Sequence, residues 1–225
     1  MEFLDLATWV VIGRLIVIDI LLAGDNAVVI GMAASKLNPS LQKKAILWGT
    51  LGAIILRLLF ATLLVEALSY IPALHIIGGA ILLWIAIQLL VGDEEPETIQ
   101  AKSKLLPAIV TIVMADAMMS IDNVLAVVGA SQGHLEYVVV GMLVTVPLVV
   151  YGSTIFAKVI NRYPIILYVG GMLLGWVGGE MMTEDKLLEP YIGGYEFWIK
   201  LLCIVLVLVL VTILKYRRHL GQEKG

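Results

Sequence analysis

Seven stretches of the chain, at residues 7–32, 45–68, 74–90, 105–128, 137–156, 165–182 and 197–214, are almost wholly apolar. About 20 such residues wound as a helix cover the roughly 30 Å of a bilayer's hydrocarbon core. There every backbone N–H and C=O must be satisfied within the protein, which leaves helices as the means of crossing. Of 225 residues, 60% are hydrophobic and 15% charged, whereas a soluble domain carries about a quarter charged residues. The pattern predicts an all-α integral membrane protein of seven transmembrane helices. The first stretch is not a cleaved signal peptide, because it is too long, carries Arg14, Asp19 and Asp25, and has no basic residue before it. A single cysteine, Cys203, excludes an internal disulfide and, in its apolar run, reads as a small buried residue.

Connections between the stretches are short, the longest being the charged segment 93–104, which reads as a solvated cytoplasmic linker. Short cytoplasmic loops retain Lys and Arg. One side collects Lys36, Lys43, Lys44, Lys102, Lys104, Lys158, Arg162, Lys215, Arg217, Arg218 and Lys224, and the other only Lys186 and Lys200. That asymmetry predicts a multi-pass protein of the cell membrane with its N-terminus outside and its C-terminus in the cytoplasm. The basic tail reads as a topology anchor with a weak attraction to anionic lipid. The bilayer is the expected surrounding; no nucleic-acid partner is expected, and a homo-oligomer or a contact with secretion machinery stays open.

The chain also resembles itself. "IDILLAGDNAVVIGMA" around Asp19 and "ADAMMSIDNVLAVVGA" around Asp116 align Asp19 with Asp116, Asp25 with Asp122 and Asn26 with Asn123, all at an offset of 97 residues. In a second block Pro72, Gly78, Gly79 and Trp84 recur as Pro164, Gly170, Gly171 and Trp176 at an offset of 92, and Gln88 falls opposite Glu180. The organisation expected is a first three-helix repeat at 1–92, a linker at 93–104, a second repeat at 105–182, and a seventh helix with its tail at 183–225. Three crossings are an odd number, so the second repeat enters from the opposite face and the repeats are inverted. Secondary transporters recurrently use this design, with substrate and ion sites near the midplane.

Depth singles out the acids. Asp19 is the thirteenth residue of its stretch and Asp116 the twelfth, about 18 Å into the membrane at 1.5 Å per residue. A carboxylate there is costly unless it faces a partner or a water-filled cavity. Six acids, Asp19, Asp25, Glu66, Asp116, Asp122 and Glu180, stand against Arg14 and Arg57. The imbalance calls for a bound cation, protonated acids, or both. Carboxylate and amide oxygens are hard donors suited to magnesium, calcium or manganese, so the candidate metal ligands are Asp19, Asp25, Asn26, Asp116, Asp122 and Asn123. Thioethers of Met32, Met118 or Met119 would favour a softer ion, although packing is the ordinary role of a transmembrane methionine. Adjacent helical residues point about 100° apart, so a local break at each Asp-Asn pair is expected, helped at the first by Gly24. Competing with a transport role, Asp19 or Asp116 would merely neutralise Arg57 or Arg14, and ion pairing for helix packing is the favoured reading of the two arginines. His75, His134 and His219 read as surface imidazoles, Glu180 as either an entry-side residue or a plain interfacial acid, and the paired Gly and Trp positions as close helix packing.

"LAGDNAVVIGMA" and "MSIDNVLAVVGAS", each with an acid six residues upstream of its Asp-Asn pair, resemble the TerC family of membrane proteins, and the chain is similar to its short seven-helix manganese exporters. The resemblance covers residues 1 to about 216 and implies efflux of Mn2+ as the transported ion, with Asp19, Asp25, Asp116 and Asp122 as the essential acids. No prosthetic cofactor and no enzymatic activity are expected. Proton antiport is the economical driving force, since the chain has no phosphate-binding loop.

Rival classes are an exporter of small organic cations or amino acids, a nontransporting membrane partner of secretion machinery, and an intramembrane aspartyl protease. The protease also needs two membrane aspartates, and Pro72, Ala73 and Leu74 spell its PAL sequence. However, that sequence precedes the second Asp helix instead of following it. The orientation has a direct check. A cysteine introduced near Lys43 should resist a membrane-impermeant thiol reagent applied to intact cells, whereas one near Gly133 should react. Reversed labelling would overturn the topology.

Overall fold

The computed structural model describes residues 6–61, 73–92, 105–130 and 135–222, and leaves the side chains of residues 6–8, 14, 18–23, 121–130, 135, 189 and 219–222 outside that description. All regular structure among the described residues is helical: α1 (Leu6–Ser35), α2 (Pro39–Leu59), α3 (Leu74–Val91), α4 (Leu105–Ala130), α5 (Leu135–Arg162), α6 (Ile165–Thr183), the one-turn α7 (Glu189–Ile192) and α8 (Glu196–Gln222). Six of the seven apolar stretches fall each on one long helix, and the second follows α2 and its continuation to residue 61, past which it lies outside the described residues. Four, namely α3, α5, α6 and α8, are long and apolar enough to cross a membrane by themselves, and Leu105–Ser120 of α4 is a shorter apolar helix. In α2, Lys43, Lys44 and Arg57 share 21 residues, which thins its apolar run.

Local chemistry sets the helix ends. Pro39 occupies the first turn of α2, where its missing N–H costs nothing. Asp185, buried between α6 and α7, accepts the Ile76 N–H at the start of α3 and the Leu187 N–H at 2.9 Å, satisfying donors that a helix start leaves open. Pro147 lies inside α5 and cannot donate to the turn before it. Hydroxyls of Thr145, Ser153 and Thr154 on the same helix bond back to the carbonyls of Met142, Val149 and Val150.

The chain divides into two compact units, Met1–Ile71 with Lys102–Lys158 and Pro72–Ala101 with Val159–Gly225. Each therefore combines helices from both expected repeats. In the first unit, α1, α2 and α4 pack mutually, and small residues set their separation. A Cβ added at Gly49 of α2 would lie 2.7 Å from the Ile112 side chain of α4, and one at Gly141 of α5 would lie 3.4 Å from that of Leu15 of α1. These two contacts are images of each other, for Gly49 and Gly141 are 92 residues apart and Leu15 and Ile112 are 97 apart.

The second unit packs α3 on α6, and both on α8. A Cβ at Gly79 would sit 2.3 Å from the carbonyl oxygen of Gly178 and 2.8 Å from the Met182 side chain, and one at Gly171 would sit 2.4 Å from Leu90. The start of each helix thus meets the end of the other, and the 92-residue offset carries Gly79 to Gly171 and Leu90 to Met182. Gly175 and Gly179 bring α6 against Ile204 and Lys200 of α8. The paired glycines are packing residues, as expected. Trp84, by contrast, is 61% exposed and takes no part in that contact, while Trp176 packs edge-on against Phe197. The basic tail is tied to the second unit: Arg218 donates to the Gly92 carbonyl that ends α3, and Lys215 donates to the Tyr168 hydroxyl at 2.9 Å. Cys203 is buried.

One expectation is overturned. Helix α1 runs unbroken through Gly24, Asp25 and Asn26, and α4 runs unbroken through residues 122 and 123. Among the described glycines only Gly92 and Gly194 have positive φ. Opening either helix would strip backbone groups of partners in an apolar surrounding, a cost that the side chains alone do not offset. Gly24→Ala should therefore leave the thermal unfolding temperature in detergent unchanged or raised, since Ala favours a helix over Gly by about 1 kcal/mol. Gly79→Ala, whose Cβ meets backbone, should lower stability by about 1–3 kcal/mol. The opposite ranking would show that the helix opens at Gly24.

Candidate cation site

Four helices of the first unit enclose a small cavity. Its wall consists of Asn26 and Ile30 from α1, Thr50, Ala53, Ile54 and Arg57 from α2, Asp116 from α4, and Met142, Thr145, Val146 and Val149 from α5. The spacing follows from helix geometry: 26 and 30 lie four apart, and 50, 53, 54 and 57 recur on one face as do 142, 145, 146 and 149. The α2 and α5 positions are the same four taken twice, 92 residues apart. Thr50 stands opposite Met142, Ala53 opposite Thr145, Ile54 opposite Val146 and Arg57 opposite Val149. The cavity is therefore lined by α2 and α5 positions that stand 92 residues apart in sequence.

Charge is confined to one wall. Arg57 Nη2 donates to Asp116 Oδ1 at 2.9 Å, and Arg57 Nε donates to Ser120 Oγ at 2.9 Å. Ser120 Oγ in turn donates to Asp116 Oδ2 at 3.1 Å, one helical turn along α4. Both carboxylate oxygens are engaged, and the ion-paired side chains are each 7% exposed. Past the pair, the helix following α2 loosens to π form at Phe60 and Ala61. The Thr50 hydroxyl is buried with no hydrogen-bond partner among the described residues. Space open to the centre of a water molecule amounts to about 20 Å³, little more than the roughly 10–15 Å³ that one water needs.

Of the six candidate ligands, Asn26 and Asp116 reach this wall. Asp25 does not line it: half-buried, its Oδ1 accepts the Asn26 backbone N–H at 2.8 Å. An unbroken helix turns the neighbours apart, so the one aimed at the cavity is Asn26. The side chains of Asp19, Asp122, Asn123 and Arg14, and all of Glu66, lie outside the described residues. Met32 and Met119 are buried away from the wall, and the methionine on it is Met142. Thr50, Met142, Thr145 and Ser120 escaped the sequence reading, although the 92-residue offset, extended to the second and fifth helices, would have picked out the first three as members of a repeated face. Among the described residues no three His, Cys, Asp or Glu converge, and the described wall offers one carboxylate beside neutral oxygens.

Two acids named earlier lie elsewhere, in the second unit. Glu180 is bonded to Lys200 at 2.5 Å, with the ammonium also 5.3 Å from the Trp176 ring centre. His75 Nδ1 lies 4.0 Å from Asp185.

Apolar helices that bury a carboxylate, a guanidinium and hydroxyls inside a bundle define a multi-pass, all-α integral membrane protein. The chain belongs to the TerC family: the profile of the integral membrane protein TerC family matches residues 4–221. It is 38% identical to the membrane protein YjbE of Bacillus subtilis (strain 168), over 85% of this chain and 89% of that one. It is 24% identical to the inner membrane protein YgdQ of Escherichia coli (strain K12), over 80% and 83% of the two chains. With YegH of the same organism the identity is 27% over 80% of this chain but only 38% of that longer protein. No solved structure matches the chain.

Asp116, Ser120 and Arg57 should behave as one unit. In a double-mutant cycle, Asp116→Asn and Ser120→Ala should be non-additive by about 0.5–3 kcal/mol in detergent unfolding. Additive losses would mean that the bridging hydroxyl is not coupled to the ion pair.

Proposed function

We propose that this protein is a secondary transporter that exports a divalent metal cation, Mn2+, across the cell membrane. Seven helices cross the bilayer, the N-terminus lies outside, and two inverted three-helix repeats carry the site. The observation that carries this reading is the cavity itself, lined by the same positions of both repeats, with a carboxylate on its wall beside amide and hydroxyl groups. The mirrored contacts of Gly79 with Met182 and Gly171 with Leu90 support the inversion. A repeated face around a polar midplane site is the arrangement secondary transporters use.

Asp116, Asn26, Thr50 and Thr145 offer hard oxygen donors, which suit Mn2+, and Met142 adds a softer one. An organic cation or amino acid needs a larger, aromatic-lined space than this cavity of about 20 Å³. Aspartates 19, 25 and 122 with Asn123 complete the proposed ion path as further stations.

Moving a divalent cation out of a negative cytoplasm is uphill by about 2.3 kcal/mol per charge per 100 mV. Membrane carboxylates that exchange a proton for metal would couple that step to the proton gradient. In cells lacking their own exporter, Asp25→Asn or Asp122→Asn should abolish manganese resistance while the protein stays in the membrane. In proteoliposomes an imposed pH difference should drive Mn2+ against its gradient. Normal resistance in both variants would remove the ion path, and Mn2+ flux indifferent to the pH difference would remove the antiport.

A further inference from the structure

The repeat that builds the cavity is broken at one place, and the break is a charge. Three of the four matched wall positions pair neutral residues: Thr50 with Met142, Ala53 with Thr145, and Ile54 with Val146. The fourth pairs Arg57 with Val149. The acid that Arg57 holds, Asp116, does have a counterpart in sequence, Asp19. Both repeats therefore keep the acid in sequence, and among the four matched wall positions only one of the two helices carries a cation.

Packing does not require that arginine. The same architecture accepts valine at the matching position of the other repeat, and a buried ion pair is often no more stable than apolar residues of similar volume. What Arg57 provides is a positive charge on a tether, in contact with the carboxylate that lines the cavity. We infer that Arg57 is a built-in counter-cation that occupies Asp116 when no transported ion is bound, and that an entering cation must displace it. The inference rests on the cation-transport reading above.

The geometry fits a contact made to be broken and remade. Arg57 reaches Asp116 through Nη2 and Ser120 through Nε, so a guanidinium that releases the carboxylate keeps a foothold on the hydroxyl. Asp116 keeps the Ser120 hydroxyl on Oδ2, which holds its rotamer while Oδ1 changes partner. Asn26, Thr50 and Thr145 stand on the same wall and are neutral, so they can take up a cation without attracting Arg57 away. Two consequences follow. With no cation bound, the Asp116 charge is balanced and the site can reorient across the membrane. With a cation bound, guanidinium and metal compete for one carboxylate, which weakens binding and speeds release.

The test compares purified wild-type protein with Arg57→Val, which copies the residue of the other repeat, with Arg57→Gln, which can keep a hydrogen bond to Ser120, and with Arg57→Lys, which keeps the charge. Mn2+ affinity is measured by calorimetry, and Mn2+ transport by flux into proteoliposomes. Val and Gln should each bind Mn2+ at least about tenfold more tightly than wild type, with a lower maximal flux and a lower KM, while Lys stays within about threefold of wild type in affinity. Tighter binding with slower turnover is not the signature of a packing residue. Unchanged or weaker affinity in Val and Gln, with wild type binding normally, overturns the role of Arg57 and leaves the transport reading standing. Failure of both to fold also overturns it, since the pair would then be a requirement of the fold. If wild-type protein neither binds nor moves Mn2+, the transport reading falls and this inference with it.

Discussion

A guanidinium and a carboxylate 2.9 Å apart inside an apolar bundle set the terms for the helices around them. Each charge partners the other within the bundle, so that neither faces hydrocarbon alone while the pair is made. Arg57 on α2 and Asp116 on α4 face each other, with Ser120 one turn below to take the remaining donor. The contact goes with the observed rotation of both helices. Gly49, whose missing side chain leaves room for Ile112, lets α2 come close enough for the contact to be made.

The glycine contacts carry the same logic through the rest of the protein. Helices with apolar surfaces gain little from hiding them from lipid, so close backbone approach supplies the attraction. Gly79 against Gly178 and Gly171 against Leu90 are such approaches in the second unit. Two of these contacts, Gly49 on Ile112 and Gly79 on Met182, have images at the same offsets in Gly141 on Leu15 and Gly171 on Leu90, so those packing solutions serve twice. Departures between the matched positions then stand out, and Arg57 where the other helix carries Val149 is the one that brings a charge.

The membrane class of the chain could be read from the primary structure because hydrocarbon thickness translates directly into a run length. The repeated Asp-Asn pairs and the offset Gly pairs were legible for a similar reason: rare residues at constant spacing need no three-dimensional knowledge. Pairing was harder. Asp116 had two arginines to choose from and a metal besides, and nothing in a linear order says that residue 57 meets residue 116. The break expected at Gly24 failed because side-chain geometry was weighed at that point without the backbone hydrogen bonds that an apolar surrounding keeps intact. Asp185 was invisible in advance, since an acid in a short polar loop looks solvated until the loop is seen folded beneath the start of α3.

By itself the sequence determined an all-helical membrane protein, motifs spaced alike in its two halves, and the few polar residues set deep in apolar runs, because each depends only on composition and spacing along the chain. The tertiary structure decided which of them share a space. It put Asn26 rather than Asp25 on the cavity wall, joined Arg57 to Asp116, added Thr50, Thr145 and Met142, and left Glu180 to Lys200. Those choices depend on helix rotation and on where missing side chains allow two backbones to meet, quantities that arise only when separate segments pack.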